Sequence, residues 1–305
     1  MKATATLAAL MLPAVASAGP CDGAACNLDT LKPVFAAMAP GPLARAGRRP
    51  VHIVQIGDSH TAGDVLTGAW RDLLQARYGN GGRGVLAPGR PWDGYITRGV
   101  TASMSAGWRV AASFGKGSEN LPAPLGLSSY TLTATQPGAT IGLTADSAGF
   151  DFDRFVLCAM AGPTAATLTI RFGAVDQRVT LDAAIPTPRC TTLHSATPQS
   201  TVTVTAGDCG VTITSWATFR DDGGVVLSNL GVVGAQLQHF VRTDDTVIAT
   251  EMRAYAPDLI VLAFGTNEGF APRFDAKTYE TLLRGQIDRL RTLAPGVPML
   301  LLGAP

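Results

Sequence analysis

The segment DLIVLAFG (residues 258–265) is apolar at every position from Leu259 to Phe264. A strand with no polar face must be buried on both sides, which happens where helices cover a parallel sheet. VHIVQIG (51–57) and VPMLLLGAP (297–305) read the same way, and VVLSNLGVVGAQ (225–236) reads as a strand running into a loop. Helical periodicity separates these strands. LDTLKPVFAAM (28–38) and DDTVIATEMRAYAP (244–257) are two such segments. In DVLTGAWRDLLQARYG (64–79), Leu66, Trp70, Leu73 and Leu74 are predicted to share one face, and Gly79-Asn80-Gly81-Gly82 ends the helix. In DAKTYETLLRGQIDRLRTLAP (275–295) the stripe is Tyr279, Leu282, Leu283, Ile287, Leu290 and Leu293. Strands alternating with helices predict an α/β domain with a parallel sheet covered on both faces.

That pattern stops near residue 100 and resumes near 225. In between, SSYTLTATQPGATIGLTA (128–145), ATLTIRFGAVDQRVTL (166–181) and STVTVTAGDCGVTITSWATF (200–219) alternate apolar residues with Thr and Ser, broken by Gly, Pro and Asp. Period-two alternation with frequent turns predicts antiparallel strands in a sandwich-like module. The expected organisation is a first α/β part at 19–90, an inserted β-rich module at 91–224, and a second α/β part at 225–305. No internal repeat is evident.

With 46% apolar and 15% charged residues, the 305-residue chain can fill a sizeable core. Twenty-four Lys and Arg oppose 23 Asp and Glu, and no basic stripe points to nucleic acid. Residues 1–18 combine a lysine, a short apolar stretch and Ala-Ser-Ala, the pattern of a secretory signal cleaved after Ala18. Pro20 before Cys21 suits a lipid-attachment site poorly. No later stretch is long and apolar enough to span a bilayer, so the mature protein is expected to be soluble and exported, periplasmic or secreted. In an oxidising compartment, Cys21–Cys26 and Cys190–Cys209 are the expected local pairs, leaving Cys158 in the apolar FVLCAM. Neither C-x-x-C nor a histidine cluster suggests a metal, and no cofactor is expected.

Working residues of parallel sheets gather in loops at the carboxyl ends of strands. Here those loops are GDSH (57–60), NLGVVGAQ (229–236) and GTNE (265–268). Taken in this order, the α/β parts resemble the SGNH (GDSL-like) hydrolases. Ser59 matches the first block of that family, Gly234 the second and Asn267 the third, with Glu268 where the family more often has Asp. The long interruption after the first block is similar to a branch of secreted peptidoglycan O-acetylesterases carrying a carbohydrate-binding-like β-module. The resemblance implies a flavodoxin-like three-layer fold and a serine esterase acting on acylated polysaccharide. Ser59 would be the nucleophile. Its N–H, the Gly234 N–H and the Asn267 amide would stabilise the oxyanion. The plainer alternative is that Ser59 only caps a helix.

A serine hydroxyl needs a positioned base. The family takes it from a D-x-x-H block downstream of the asparagine, yet no histidine follows Asn267. The base is therefore expected beyond residue 305, and this chain is expected to be a truncated product or fragment, weakly active or inactive. His52, His60, His194 and His239 are expected to be structural, with His239 the one remote candidate. Asp58 and Glu268 read as turn-forming carboxylates beside the site. Trp92, Trp108 and Trp216 either hold sugar rings or fill the core. A lipase or thioesterase, a polysaccharide O-acetyltransferase and a non-catalytic polysaccharide-binding protein remain open; oligomeric state is not legible.

Overall fold

The structure, a computed structural model, describes residues 21–23, 25–38 and 48–304. The expected signal segment at 1–18 lies outside the described residues. The chain opens with a two-stranded hairpin, β1 (Cys21–Asp22) and β2 (Ala25–Cys26), closed by a Cys21–Cys26 disulfide. Helix α1 (Lys32–Met38), strand β3 (Val51–Gly57), the one-turn α2 (Ser59–Ala62) and helix α3 (Leu66–Tyr78) follow. After the antiparallel region come β15 (Val225–Gly231), α4 (Leu237–Phe240), α5 (Asp245–Tyr255), β16 (Leu259–Ala263), α6 (Thr266–Gly269), α7 (Ala276–Leu293) and β17 (Met299–Leu301).

Strands β15, β3, β16 and β17 form a parallel sheet in that order. Successive side chains of a strand point to opposite faces, so the buried strands β15, β3 and β16 serve two cores. Val51, Ile53, Val225, Leu227, Leu259 and Val261 meet α1 and the Trp70, Leu74 and Tyr78 side of α3. Val54, Ile56, Val226, Leu230, Ile260 and Leu262 meet Ile248 and Met252 of α5 and Leu290 of α7. The α7 stripe packs there as its periodicity predicts: Tyr279, Leu282, Leu283, Ile287 and Leu293 all join that core. The predicted α3 face is corrected. Trp70 and Leu74 face inward, but Leu66 and Leu73 are exposed. Arg71 takes the inward position instead, and it is buried because Asp64 neutralises it through two hydrogen bonds.

Between α3 and β15 the strands are antiparallel. One sheet holds β5 (Val100–Met104), β8 (Thr140–Ala145), β10 (Ala166–Phe172), β11 (Val175–Leu181) and β13 (Thr201–Ala206), in the order β11-β10-β13-β8-β5. The other runs β12-β9-β14-β7-β6, with β6 (Trp108–Ala112), β7 (Tyr130–Ala134), β9 (Phe152–Ala161), β12 (Thr187–Gln199) and β14 (Thr212–Phe219), and β4 (Gly84–Leu86) pairs with β14. Their facing sides share one core that includes Leu132, Phe155 and Trp216 from one sheet and Ile141, Leu168 and Val204 from the other. Trp216 is therefore a core residue, its Nε1–H donated to the Ala87 carbonyl at 2.8 Å.

The six-stranded sheet also turns a face toward the helices. Val85, Leu127, Val156, Cys158, Ala217 and Phe219 belong to the same apolar cluster as Val54, Ile56 and Tyr255. Glu251 of α5 is fully buried at this junction, accepting from Leu127 N (2.7 Å), Thr214 Oγ1 (2.7 Å) and Ser215 Oγ (2.5 Å). Burial pushes its carboxyl pKa up, against the pull of these donors.

The expected Cys190–Cys209 pair is also corrected. Cys190 of β12 lies directly opposite Cys158 of β9 and is bonded to it, while Cys209 is free and exposed in the turn between β13 and β14. β12 lies along β9, so Cys190 finds Cys158 across the ladder, and not Cys209, which lies in the turn before β14. No helix among the described residues is long and apolar enough to cross a membrane.

Candidate active site

Strand β3 sits between β15 and β16, and the chain crosses over it in passing from one neighbour to the other. This is the switch point where open α/β sheets gather ligands. Register sets the level. Gly57 is opposite Gly231 on one side and Ala263 on the other. The loops carrying Ser59, Gly234 and Asn267 thus leave the same edge from three adjacent strands, whose axes are about 5 Å apart.

Ser59 is the first residue of α2, half-buried. Asp58 caps that turn, its Oδ1 accepting the His60 N–H at 2.9 Å. Ser59 itself caps nothing through its side chain: among the described residues its hydroxyl has no hydrogen-bond partner. The turn can lie tight on β15 because residue 231 is glycine. A Cβ there would fall 2.2 Å from Ala62 N.

The second and third loops are sewn together. Asn267 Nδ2 donates to the Ala235 carbonyl at 2.8 Å, and Gln236 Nε2 donates to the Asn267 carbonyl at 3.0 Å. The buried Glu268 carboxylate accepts from Leu237 N at 2.6 Å and from Gly265 N at 3.1 Å. Gly234, beside Ala235, has φ of 77°, a left-handed conformation that a side chain would strain. The second N–H of the Asn267 amide has no partner among the described residues, so it can donate to a bound group.

None of the four histidines is hydrogen-bonded to Ser59 among the described residues. His60 is exposed, with Nδ1 3.3 Å from Asp58 Oδ1 and 3.4 Å from Thr266 Oγ1. His194 is exposed, 3.6 Å from Asp221. His52 is buried below the sheet's other face, bonded to Tyr255 and Ser228. His239 uses Nδ1 to accept the Gln236 N–H at 2.9 Å, which puts its proton on Nε2. Burial, and then the nearby Arg242 guanidinium, lower its pKa and keep it neutral.

No protein-family model matches the chain, and no curated protein sequence matches it. Among solved structures, a peptidoglycan O-acetylesterase superposes with a TM-score of 0.71 at 24% identity, over 90% of this chain and 72% of that one. The chain shares that protein's fold. Family two carbohydrate esterases from Cellvibrio japonicus and Clostridium thermocellum are 13% and 11% identical. They cover 66% and 73% of this chain and 78% of their own, with TM-scores of 0.23 that carry no weight.

In this shared fold two features escaped the sequence reading. The first is a buried charge cluster behind α2. Asp64 accepts from Arg71, Arg83 and Thr67, both guanidinium groups also reach Asn229 Oδ1, and Asn229 Nδ2 holds the Thr61 carbonyl at 3.0 Å. Burial alone would raise the Asp64 pKa, but Arg83 and Arg71 hold it below the usual carboxylate value. Arg83 falls to about 10, from burial first and the like charge of Arg71 second. Asp64 lies ahead of α3 with a left-handed φ of 50°, so no helical spacing in the sequence announced its pairing with Arg71. The second feature is an apolar cleft of about 410 Å³ beside Asp58 and His60, walled by Leu66, Trp70, Phe264, Leu300 and Leu302. Among the described residues no cluster of three or more His, Cys, Asp or Glu side chains is arranged to hold a metal ion.

Proposed function

We propose that this chain is an exported serine esterase of SGNH type that removes O-acetyl groups from a polysaccharide such as peptidoglycan. The observation that carries the reading is the sewing of the Gly234 loop to Asn267, one sheet position from an unpartnered Ser59 hydroxyl. In this reading Ser59 Oγ attacks the acetyl carbonyl. The Ser59 N–H, the Gly234 N–H and the free N–H of Asn267 receive the oxyanion before the sugar alkoxide leaves. Preorganised donors of this kind are worth about 3–4 kcal/mol each in the barrier. The parallel-sheet parts, 19–90 and 225–305, would be a flavodoxin-like three-layer hydrolase domain, and residues 91–224 a module that holds the glycan. Among the described residues no histidine is hydrogen-bonded to Ser59, so turnover by this chain is expected to be weak.

The test is Ser59-dependent hydrolysis of p-nitrophenyl acetate and of O-acetylated peptidoglycan by residues 19–305, with and without added imidazole as a replacement base. After subtraction of the hydrolysis that imidazole catalyses without protein, imidazole should accelerate the wild type and not Ser59→Ala, and Asn267→Ala should lower the rescued rate about 100-fold or more. Rescue that is the same with and without Ser59 would reject the reading. Acetate appearing in water and not on a second sugar separates hydrolysis from O-acetyl transfer. The apolar cleft supports one other reading, an esterase for longer acyl chains, which a series of esters from acetate to octanoate distinguishes.

A further inference from the structure

The segment 232–236, which carries Gly234, has no strand or helix to hold it. Its polar groups are fixed from outside. Asn267 takes the Ala235 carbonyl, and the Gln236 N–H goes to His239 Nδ1. Only Ala235 N, bonded to the Val232 carbonyl at 3.1 Å, closes a turn within the segment.

The residue that fixes His239 comes from the antiparallel layers. Phe114, just past β6, lies on the imidazole with ring centroids 4.2 Å apart and planes within 28°. The same ring covers Gly234: a Cβ on that glycine would come within 2.9 Å of Phe114 Cε1. The backbone beside it is anchored as well, since Arg242 donates to the Ser113 carbonyl at 2.8 Å and Ser113 N to the Ser129 carbonyl at 3.0 Å. Ala112, Val232 and Ala235 complete a small apolar cluster against which Phe114 packs.

We propose that Phe114 and His239 are positioning residues for the oxyanion loop, so that the antiparallel layers set the direction of the Gly234 N–H. The inference rests on the esterase reading for its catalytic meaning, but not for its geometry. Phe114 fixes the imidazole plane, and the imidazole in turn fixes the Gln236 peptide. Asn267 and the imidazole thus hold the same peptide, by its Ala235 carbonyl and its Gln236 N–H. Ala235 N is tied back to the Val232 carbonyl and Phe114 covers Gly234, which together narrow the directions open to the Gly234 N–H. A neutral ring with its proton on Nε2 performs this task, which is why His239 is unsuited to serve as the base for Ser59.

Amide hydrogen exchange on the full chain, followed for peptides covering 231–240 and 59–78, tests the geometry. Phe114→Ala and His239→Ala should speed exchange in 231–240 about fivefold or more, the equivalent of one lost hydrogen bond, and leave 59–78 unchanged. His239→Asn should keep protection, because Asn Oδ1 occupies the place of Nδ1. Phe114→Leu, which still covers Gly234, should be intermediate and guards against a variant that fails to fold. In Ser59-dependent turnover rescued by imidazole, the two Ala variants should lose kcat with KM unchanged. Unchanged exchange in both Ala variants, or His239→Asn behaving like His239→Ala, overturns the proposal. Turnover that does not depend on Ser59 would remove the esterase reading while leaving the exchange result to decide the coupling.

Discussion

Glu268 accepts the Leu237 N–H at 2.6 Å, reaching from α6 to the start of α4 and bridging two segments that are far apart in sequence. Its other oxygen takes the Gly265 N–H at 3.1 Å, so one side chain satisfies donors from both segments. A carboxylate has only acceptors and suits two N–H partners; an amide does not. Glu268→Gln should therefore lose one bond, and Glu268→Ala both, lowering stability by about 2 kcal/mol or more. Urea unfolding midpoints of the two variants check this, and equal midpoints with wild type would reject the bridging role.

The cluster of Asp64 with Arg71 and Arg83 leads to a second expectation. Asp64→Asn leaves two guanidinium groups buried without a counter-charge, and should destabilise by about 3–5 kcal/mol. The carboxylate pKa is depressed in the fold. Its contribution is thus complete above the unfolded value near 4 and fades as pH drops through the lower folded value. Thermal unfolding of wild type and Asp64→Asn from pH 7 down to pH 2 should show the gap closing only at the acid end.

His52 predicts a pH effect at milder acidity. Its Nδ1–H must donate to the Tyr255 carbonyl at 2.9 Å, leaving Nε2 to accept the Ser228 hydroxyl at 2.7 Å, whose oxygen receives the Val85 N–H. This arrangement needs the neutral ring, and burial lowers the pKa to about 4. Unfolded chains take up a proton near pH 6.5 that the fold refuses. Stability should fall as pH decreases from about 6.5 to 4, by on the order of 3 kcal/mol from this residue. Substitution His52→Gln lowers stability at pH 7 and should flatten that slope. A parallel slope in the variant would assign the acid sensitivity elsewhere.

The cysteine pairing is checked by chemistry alone. Without reductant, Cys209 should be the thiol that maleimide labels in the native described region, and Cys209→Ser should leave the unfolding midpoint within about 0.5 kcal/mol. Cys190→Ser should cost about 4 kcal/mol, the chain-entropy value for a closure of 32 residues. A proteolytic peptide linking Cys190 to Cys209 would contradict the structure.

Much of the framework was legible because all-apolar strands admit few alternatives. DLIVLAF can hardly lie anywhere but inside a covered parallel sheet, and the Thr-alternating middle can hardly lie anywhere but in two-sided antiparallel sheets. What the sequence concealed depends on partners remote along the chain. Arg71 sits among the inward positions of α3 because Asp64 and Asn229 meet it there, and no periodicity reveals a neutralised charge. Cys190 bonds Cys158 because β12 lies along β9, a pairing that nearness in sequence to Cys209 obscured. Ser59, Gly234 and Asn267 were visible through their short loops. Phe114, packed on His239 from across the fold, was not.

The apolar cluster that Val156, Ala217 and Phe219 share with Ile56 and Tyr255 carries a practical consequence. A carbohydrate module strung on a linker can be cut off or exchanged like a cassette. Here, excising the antiparallel strands would strip one wall from the helix-bearing half and bare its greasy flank to water. Chimeras that graft a different sheet onto the parallel-sheet half will need to reproduce that wall.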